Sequence, residues 1–368
     1  MRAALLTALC LLVAACSSAP PAAPPEAPAP VAPSSPPAPT EPVEAEPPPP
    51  QPPEAPRFSA DLLARATAIA RDAIIVDGHI DVPYRLWNRP DDVGEATASG
   101  DFDYPRAVAG GLDAPFMSIY IPARYQETGG ATALADSLID MMEGIVDQHP
   151  EKFRIATSVA DVRANRRAGL MSLPLGMENG APVEGDLANL EHFHARGIRY
   201  ITLAHSRDNE ISDSSYDGTG THDGLSDFGR EVVREMNRLG IIVDISHVSD
   251  AAFDDVMEVT AAPVIASHSS ARHFTPGFER NLDDDRIRAL ASGGGVFMIN
   301  FGSSFLSDDY RQRYTRVLDA FAAELEADGI EPGSDEGRQR RAAVIRERIG
   351  YADLDDVLNH IDHVRDLA

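Results

Sequence analysis

Lysine is nearly missing from this chain: Lys152 is the single one among 32 basic residues. No Gly-Lys-Ser/Thr exists, so a Walker-type phosphate loop is excluded. A Schiff-base lysine would have to be Lys152, which sits in the polar stretch Pro150-Glu151-Lys152. Cysteine is as scarce, with only Cys10 and Cys16 near the start. The remainder therefore has no disulfide, no thiolate metal site and no cysteine nucleophile. Aromatic residues make up 6% and the net charge is −26. Such a chain offers few stacking platforms for bases and repels phosphate, so nucleic acid is excluded as a partner.

The first 15 residues form a secretion signal, with Arg2 as the positive end and Leu5 to Val13 as the apolar core. That core is too short to span a bilayer, which needs ~20 residues. Val13-Ala14-Ala15-Cys16 resembles a bacterial lipobox, which implies cleavage before Cys16 and lipid on the new N-terminus. The alternative is an ordinary signal peptide that contains a cysteine. Ser17 resembles the pattern sent to the outer membrane, so the expected location is the envelope of a Gram-negative bacterium, lipid-anchored and facing the periplasm. Residues 16–56 follow as a lipidated cysteine and a disordered tether. Residues 19–56 hold 18 of the 29 prolines and no basic residue. Proline-rich chain extends ~3.1 Å per residue and is semi-rigid. A spacer is the reading, with a docking segment as the alternative.

From Arg57 to Ala368 the composition turns globular. Helical periodicity covers Phe58 to Arg71. Short apolar runs at 74–77, 114–121, 173–177, 198–204, 241–246, 263–267 and 295–301 then read as strands. Helical stretches near 131–148, 159–168, 186–196, 226–239, 250–259 and 283–291 alternate with them. That alternation predicts an α/β fold with a parallel sheet, and seven strands point to a (β/α)₈ TIM-type barrel. No Gly-x-Gly-x-x-Gly follows the first strand, which weakens a dinucleotide fold. Gly293-Gly294-Gly295 reads as a tight turn. Residues 307–349 read as one or two solvated helices inserted before a last amphipathic helix, Asp353 to Leu367.

The stretch that organises the rest is Ile75-Val76-Asp77-Gly78-His79-Ile80-Asp81-Val82-Pro83. An apolar run reads as a short buried strand and leads into His79 and Asp81, which in extended backbone point to one side. In a barrel, function sits at the C-terminal strand ends. Glu178, His205, His247 and His268 end four further strands. One histidine at a strand end is more often a hydrogen-bonded core residue than a ligand. Four histidines with a glutamate and an aspartate would leave polar groups unpaired unless a metal or ligand satisfied them. Histidine with carboxylate and no thiolate suits Zn²⁺, Mn²⁺ or Co²⁺. Five ligands exceed one tetrahedral site with an open position, and fit two metals sharing a carboxylate.

Six stretches resemble the membrane (renal-type) dipeptidase family, zinc enzymes of the amidohydrolase-like barrel class. They are Val76 to Asp81, Gly176 to Gly180, Tyr200 to His205, Val243 to Ser249, Pro263 to Arg272 and Arg280 to Asp284. The resemblance spans about residues 60 to 368. It implies a binuclear site with two Zn²⁺: His79 and Asp81 on the first, His247 and His268 on the second, and Glu178 bridging. It further implies that His205 contacts the substrate and the developing oxyanion, and that Arg280 holds the substrate carboxylate. For Arg280 the alternative is a surface ion pair with Asp283 or Asp284. The implied reaction is dipeptide hydrolysis by water activated between the ions, with Glu178 and His205 as catalytic residues.

The resemblance also implies an eighth strand with a Gly-Ser-Asp-Phe-Asp-Gly-like segment, whose aspartate handles the proton passed to the leaving amine. No such segment occurs in these 368 residues. The chain is thus expected to be truncated, or to draw that strand from elsewhere, and to be crippled in this form. Two rivals remain: another amidohydrolase-type reaction, on an N-acyl amino acid or a lactone, and a non-catalytic envelope lipoprotein. Oligomeric state is open, with a homodimer as one option.

Overall fold

The computed structural model describes residues 57–368. The signal, the tether and Cys16 lie outside the described residues. Seven strands form one parallel sheet: β1 (Ile75–Ile80), β2 (Leu112–Tyr120), β5 (Leu175–Glu178), β6 (Ile198–Thr202), β7 (Ile242–Asp244), β8 (Ile265–Ser269) and β9 (Val296–Ile299), in that spatial order. Two short strands, β3 (Phe153–Ile155) and β4 (Met171–Leu173), pair beside it as a second parallel sheet. Helices connect successive strands and cover the outside. The architecture is a nearly closed seven-stranded parallel barrel of the TIM type, one strand short.

The curl of the sheet shows at Gly78. A Cβ there would stand 2.2 Å from Met298 Sδ and 2.4 Å from the Ser267 carbonyl oxygen. Only glycine lets β1 come this close to β8 and β9. Even so, among the described residues β1 pairs only with β2 and β9 only with β8. This corrects the reading of Ile74 to Val76 as a buried strand: Ile74 is 37% and Val76 44% exposed, because nothing pairs with the outer edge of β1. Val296 on the opposite edge is 49% exposed for the same reason.

Most boundaries follow local chemistry. Helix Ala131–Gln148 runs as expected and buries Leu134, Leu138, Ile139 and Met142, spaced three and four apart. Burial of each large apolar side chain is worth about 1.5–3 kcal/mol. Helices Val159–Arg167, Asp227–Leu239 and Asp250–Val259 each start on a serine whose hydroxyl caps a backbone N–H. The strand read at 173–177 is two strands split at Pro174, which has no N–H to give the ladder. The solvated insert folds into helices Asp308–Ala327 and Asp335–Val344, with a small core of Phe321, Leu325 and Val344. Three short helices, Val82–Asn88, Tyr104–Gly110 and Arg124–Thr128, had no periodicity long enough to read. No helix among the described residues is long and apolar enough to cross a membrane.

Candidate active site

Parallel pairing places Tyr120, Glu178, Thr202 and Asp244 in one row across β2, β5, β6 and β7. Glu178 closes β5 and is buried. His79 and His268 lie inside β1 and β8 near their ends, while His205 and His247 come three residues after β6 and β7. All four imidazoles turn Nε2 toward Glu178. His79 stands 3.4 Å from Oε2; His205, His247 and His268 stand 3.4, 3.1 and 3.3 Å from Oε1.

Asp81 reaches the same place by a different route from the one expected. It is not in extended backbone but at the N-cap of helix Val82–Asn88, with φ −79° and ψ 36°. Its carboxylate makes no capping bond; Oδ1 lies 3.3 Å from His79 Nε2. His79, Asp81, Glu178, His205, His247 and His268 thus meet in one cluster.

The rings form two close pairs, His79 with His268 stacked and His205 with His247 tilted. His79 and His268 are 3.8 Å apart between centroids, His205 and His247 4.2 Å. By donor distance, Glu178 groups with His79 and His268 on one side and with His205 and His247 on the other. His247 and His268 also approach each other, Nε2 to Nε2, at 2.9 Å. Of the four histidine side chains, His205 is the most exposed, at 19% against 5%, 7% and 11% for His79, His247 and His268.

Burial and charge divide the titrations. Burial pulls His79 down, but Tyr200 and Glu178 beside it prevail and hold it well above the ordinary imidazole value. Burial pushes Glu178 up, yet His79 and the hydrogen bonds from His247 and His268 keep it well below the carboxylate range. Burial and Arg280 drive His247 well down, while burial and His79 bring His268 to about 4. Burial also lowers His205. Glu178 is therefore an anion facing a protonated His79 and neutral His205, His247 and His268, and a divalent cation that displaced the His79 proton would meet the carboxylate and imidazole donors it takes. The Nδ1 atoms of His205 and His247 are buried without a hydrogen-bond partner among the described residues. These residues fit a metal-binding role.

Further groups support the cluster. His79 Nδ1 contacts the Tyr200 hydroxyl at 2.9 Å. Tyr200 fits because Gly176, its register partner, has no side chain; a Cβ there would stand 2.0 Å from the Tyr200 ring. Ser267 Oγ donates to Asp244 Oδ2 at 2.7 Å and meets His268 Nδ1 at 2.7 Å. Having given its proton to Asp244, Ser267 accepts from His268, which leaves His268 Nε2 with a lone pair. His247 holds a left-handed backbone, φ 71°, which costs on the order of 1 kcal/mol in a non-glycine residue. The chain around it is pinned: Ser215 N–H donates to the His247 carbonyl at 2.8 Å, and Ser214 bridges Val248.

Sequence reading missed Tyr200, Asp244 and Ser267. Asp244 had a signal, a carboxylate within the apolar run Ile242-Val243-Asp244-Ile245. Tyr200 had none, since an aromatic residue in a strand reads as core.

Arg280 is 1% exposed. It donates to Ser269 Oγ at 2.8 Å and to the His268 carbonyl at 2.9 Å, and its Nε has no hydrogen-bond partner among the described residues. No carboxylate of the described residues pairs with it. Asp283 is taken by Arg286 at 2.6 Å and Asp284 by His363 at 2.8 Å. The surface ion pair is thereby excluded for Arg280.

A parallel β/α barrel whose strand ends carry clustered histidines and carboxylates defines a metal-dependent hydrolase of the amidohydrolase-like class. Within that class, the membrane dipeptidase family (peptidase family M19) matches residues 63–368, and the chain belongs to it. It is accordingly a metallo-dipeptidase, an enzyme that hydrolyses dipeptides. The fold is similar to that of the probable dipeptidase PvdM from Pseudomonas aeruginosa, with 23% identity over 84% of each chain and a TM-score of 0.70. A metallopeptidase described as dipeptidase AC is 26% identical over 80% of each chain, TM-score 0.64. A metallopeptidase from Rhodobacter sphaeroides, solved with a phosphinate mimic of the dipeptide L-Ala-D-Ala, is 25% identical, TM-score 0.63, with 80% of this chain and 82% of that one covered.

Proposed function

We propose that this dipeptidase works with two zinc ions at the barrel mouth. His79 and Asp81 would hold one, His247 and His268 the other, and Glu178 both. One observation carries this reading: the buried Glu178 carboxylate has the Nε2 atoms of four histidines within 3.4 Å. So many buried donors facing one carboxylate are costly unless a cation joins them. When bound, the ions supply an acidified water and polarise the scissile carbonyl.

The chain's own groups do the rest. Burial keeps His205 neutral near pH 7, and from the most exposed position of the four it donates N–H to the carbonyl oxygen as negative charge builds there. Tyr120, its ring 4.7 Å from His205, walls that side; burial and Glu178 push its hydroxyl up to about 12, so it stays a neutral donor. Arg280, a buried cation without an acidic partner, receives the terminal carboxylate of the substrate and so limits the peptide to two residues. The bound mimic in the Rhodobacter enzyme supports substrates with a C-terminal D-residue, such as L-Ala-D-Ala.

Arg280→Ala tests the substrate assignment. Loss of one charge-assisted anchor is expected to raise KM about 10- to 100-fold for free-acid dipeptides, while C-terminally amidated ones change little. An unchanged KM for the free acids would remove Arg280 from substrate binding. The lipobox-like Val13 to Cys16 further supports a lipid on Cys16 and an outer-membrane location facing the periplasm. Cys16→Ser should then move the enzyme from the membrane fraction to the soluble one, and retention in membranes would sink the anchor.

A further inference from the structure

A second cluster of metal-ligating side chains lies apart from the Glu178 cluster. His273 belongs to the 3₁₀ turn Arg272–Phe274, Asp284 is the first residue of helix Asp284–Ser292, and His363 lies in helix Leu354–Leu367. One donor atom from each falls within 4.8 Å of the others. His363 Nε2 stands 2.8 Å from Asp284 Oδ1. The His273 and His363 rings stack at 4.3 Å with 26° between planes. That is the arrangement of His79 and His268, 3.8 Å and 27°, which share Glu178 in the barrel.

We propose that His273, Asp284 and His363 form a peripheral site for a divalent transition-metal ion of the zinc class. Two imidazoles and one carboxylate select such an ion over Ca²⁺ or Mg²⁺, which prefer oxygen alone. The Asp284–His363 contact by itself would be an ordinary ion pair, but it gives no role to His273. The His273 ring makes ring contacts with Phe274 and His363, and among the described residues no protein hydrogen bond. Its nitrogens are left for a ligand. His273 is exposed and the other two are partly so, which lets solvent fill the remaining coordination positions.

The site ties the neighbouring turn Arg272–Phe274 and helix Asp284–Ser292 to helix Leu354–Leu367, whose His363 lies 79 residues beyond Asp284. Helix Leu354–Leu367 is otherwise anchored by His360, which is buried. His360 accepts the Ala271 N–H at Nδ1, 3.0 Å, and faces the Leu306 carbonyl from Nε2, 3.0 Å. On the same helix Leu354, Leu358 and Ile361 remain 43–44% exposed, so apolar packing holds it only in part. An ion on His363, one turn beyond His360, adds a second fastening.

The test is metal content of the full-length protein, equilibrated with Zn²⁺ buffered in the micromolar range and measured by mass spectrometry. Wild type is expected to carry one zinc equivalent more than His273→Ala/His363→Ala, with dipeptidase turnover unchanged. Being a difference, the result does not depend on how many ions the barrel holds. Amides of helix Leu354–Leu367 should exchange more slowly with zinc than without it in wild type, and equally in the variant. Equal metal content in two folded proteins would overturn the site and leave an ion pair with a stacked ring. Should the double variant fail to fold, His273→Gln, which alters only a ring on the surface, decides by the same count.

Discussion

Asp244 is a carboxylate at the end of barrel strand β7 and is wholly buried. It accepts from Thr202 Oγ1 at 2.5 Å, from the Ser267 amide at 2.9 Å and from the Ser267 hydroxyl at 2.7 Å. Through Ser267 it fixes which nitrogen of His268 carries the proton. Such partners behind a metal ligand are worth about 10- to 100-fold in metal affinity. Ser267→Ala is therefore expected to weaken zinc binding by about that factor in chelator competition, with secondary structure unchanged. Unaltered affinity would mean that the proposed ligand His268 needs no orienting partner. At this scale the candidate donors were legible, since His79, Glu178, His205, His247 and His268 each close or follow an apolar run. Their supports were not, because a serine or tyrosine within a strand has the same appearance whether it packs or orients.

Among the elements, helix Tyr104–Gly110 shows how a short segment is fixed without periodicity. Its cap Asp103 accepts from the amides of Thr97 and Arg106, 3.0 and 2.9 Å, and from Arg106 Nε at 2.8 Å. The Thr97 and Arg106 amides, with Arg106 itself, hold the Asp103 carboxyl down at about 2, below the usual 3.8. A carboxyl depressed in the folded state stabilises fully above its unfolded value and loses that contribution as pH falls toward the folded one. The melting temperature of wild type should thus drop more steeply than that of Asp103→Asn between pH 4 and about 2. Parallel slopes would show that the cap does not titrate with unfolding. Longer elements were readable because the 3.6-residue period and serine caps repeat over several turns. Edges were not: Ile74 and Val76 read as buried, and only the strand order shows that β1 has a free side.

For the molecule as a whole, the candidate ligands come from the ends of β1, β5, β6, β7 and β8 and the residues just after them. Ions held by His79, Asp81, Glu178, His247 and His268 would draw four of these strands, β1, β5, β7 and β8, together in a sheet that does not close. A ligand held at about 100 times its Kd adds about 2.7 kcal/mol, which is several degrees in a domain of this size. Chelator-treated protein is expected to melt lower by at least that much, and the drop should shrink in Glu178→Ala. A melting point indifferent to chelation would show that the strand ends hold their geometry without ions, against the binuclear zinc reading.

The sequence by itself determined the order of strands and helices and the exits at which donors appear. Those follow from local periodicity and from the cost of burying a charge within an apolar run. Tertiary structure alone decided which donors meet. The Tyr200 hydroxyl reaches His79 across 121 residues and Asp284 reaches His363 across 79. It also set Arg280 in the interior rather than on the surface, and among the described residues left the outer edges of β1 and β9 unpaired. Contacts of this kind depend on the curl and register of the whole sheet. A rotation of one strand redirects every side chain on it, and no local pattern encodes that rotation.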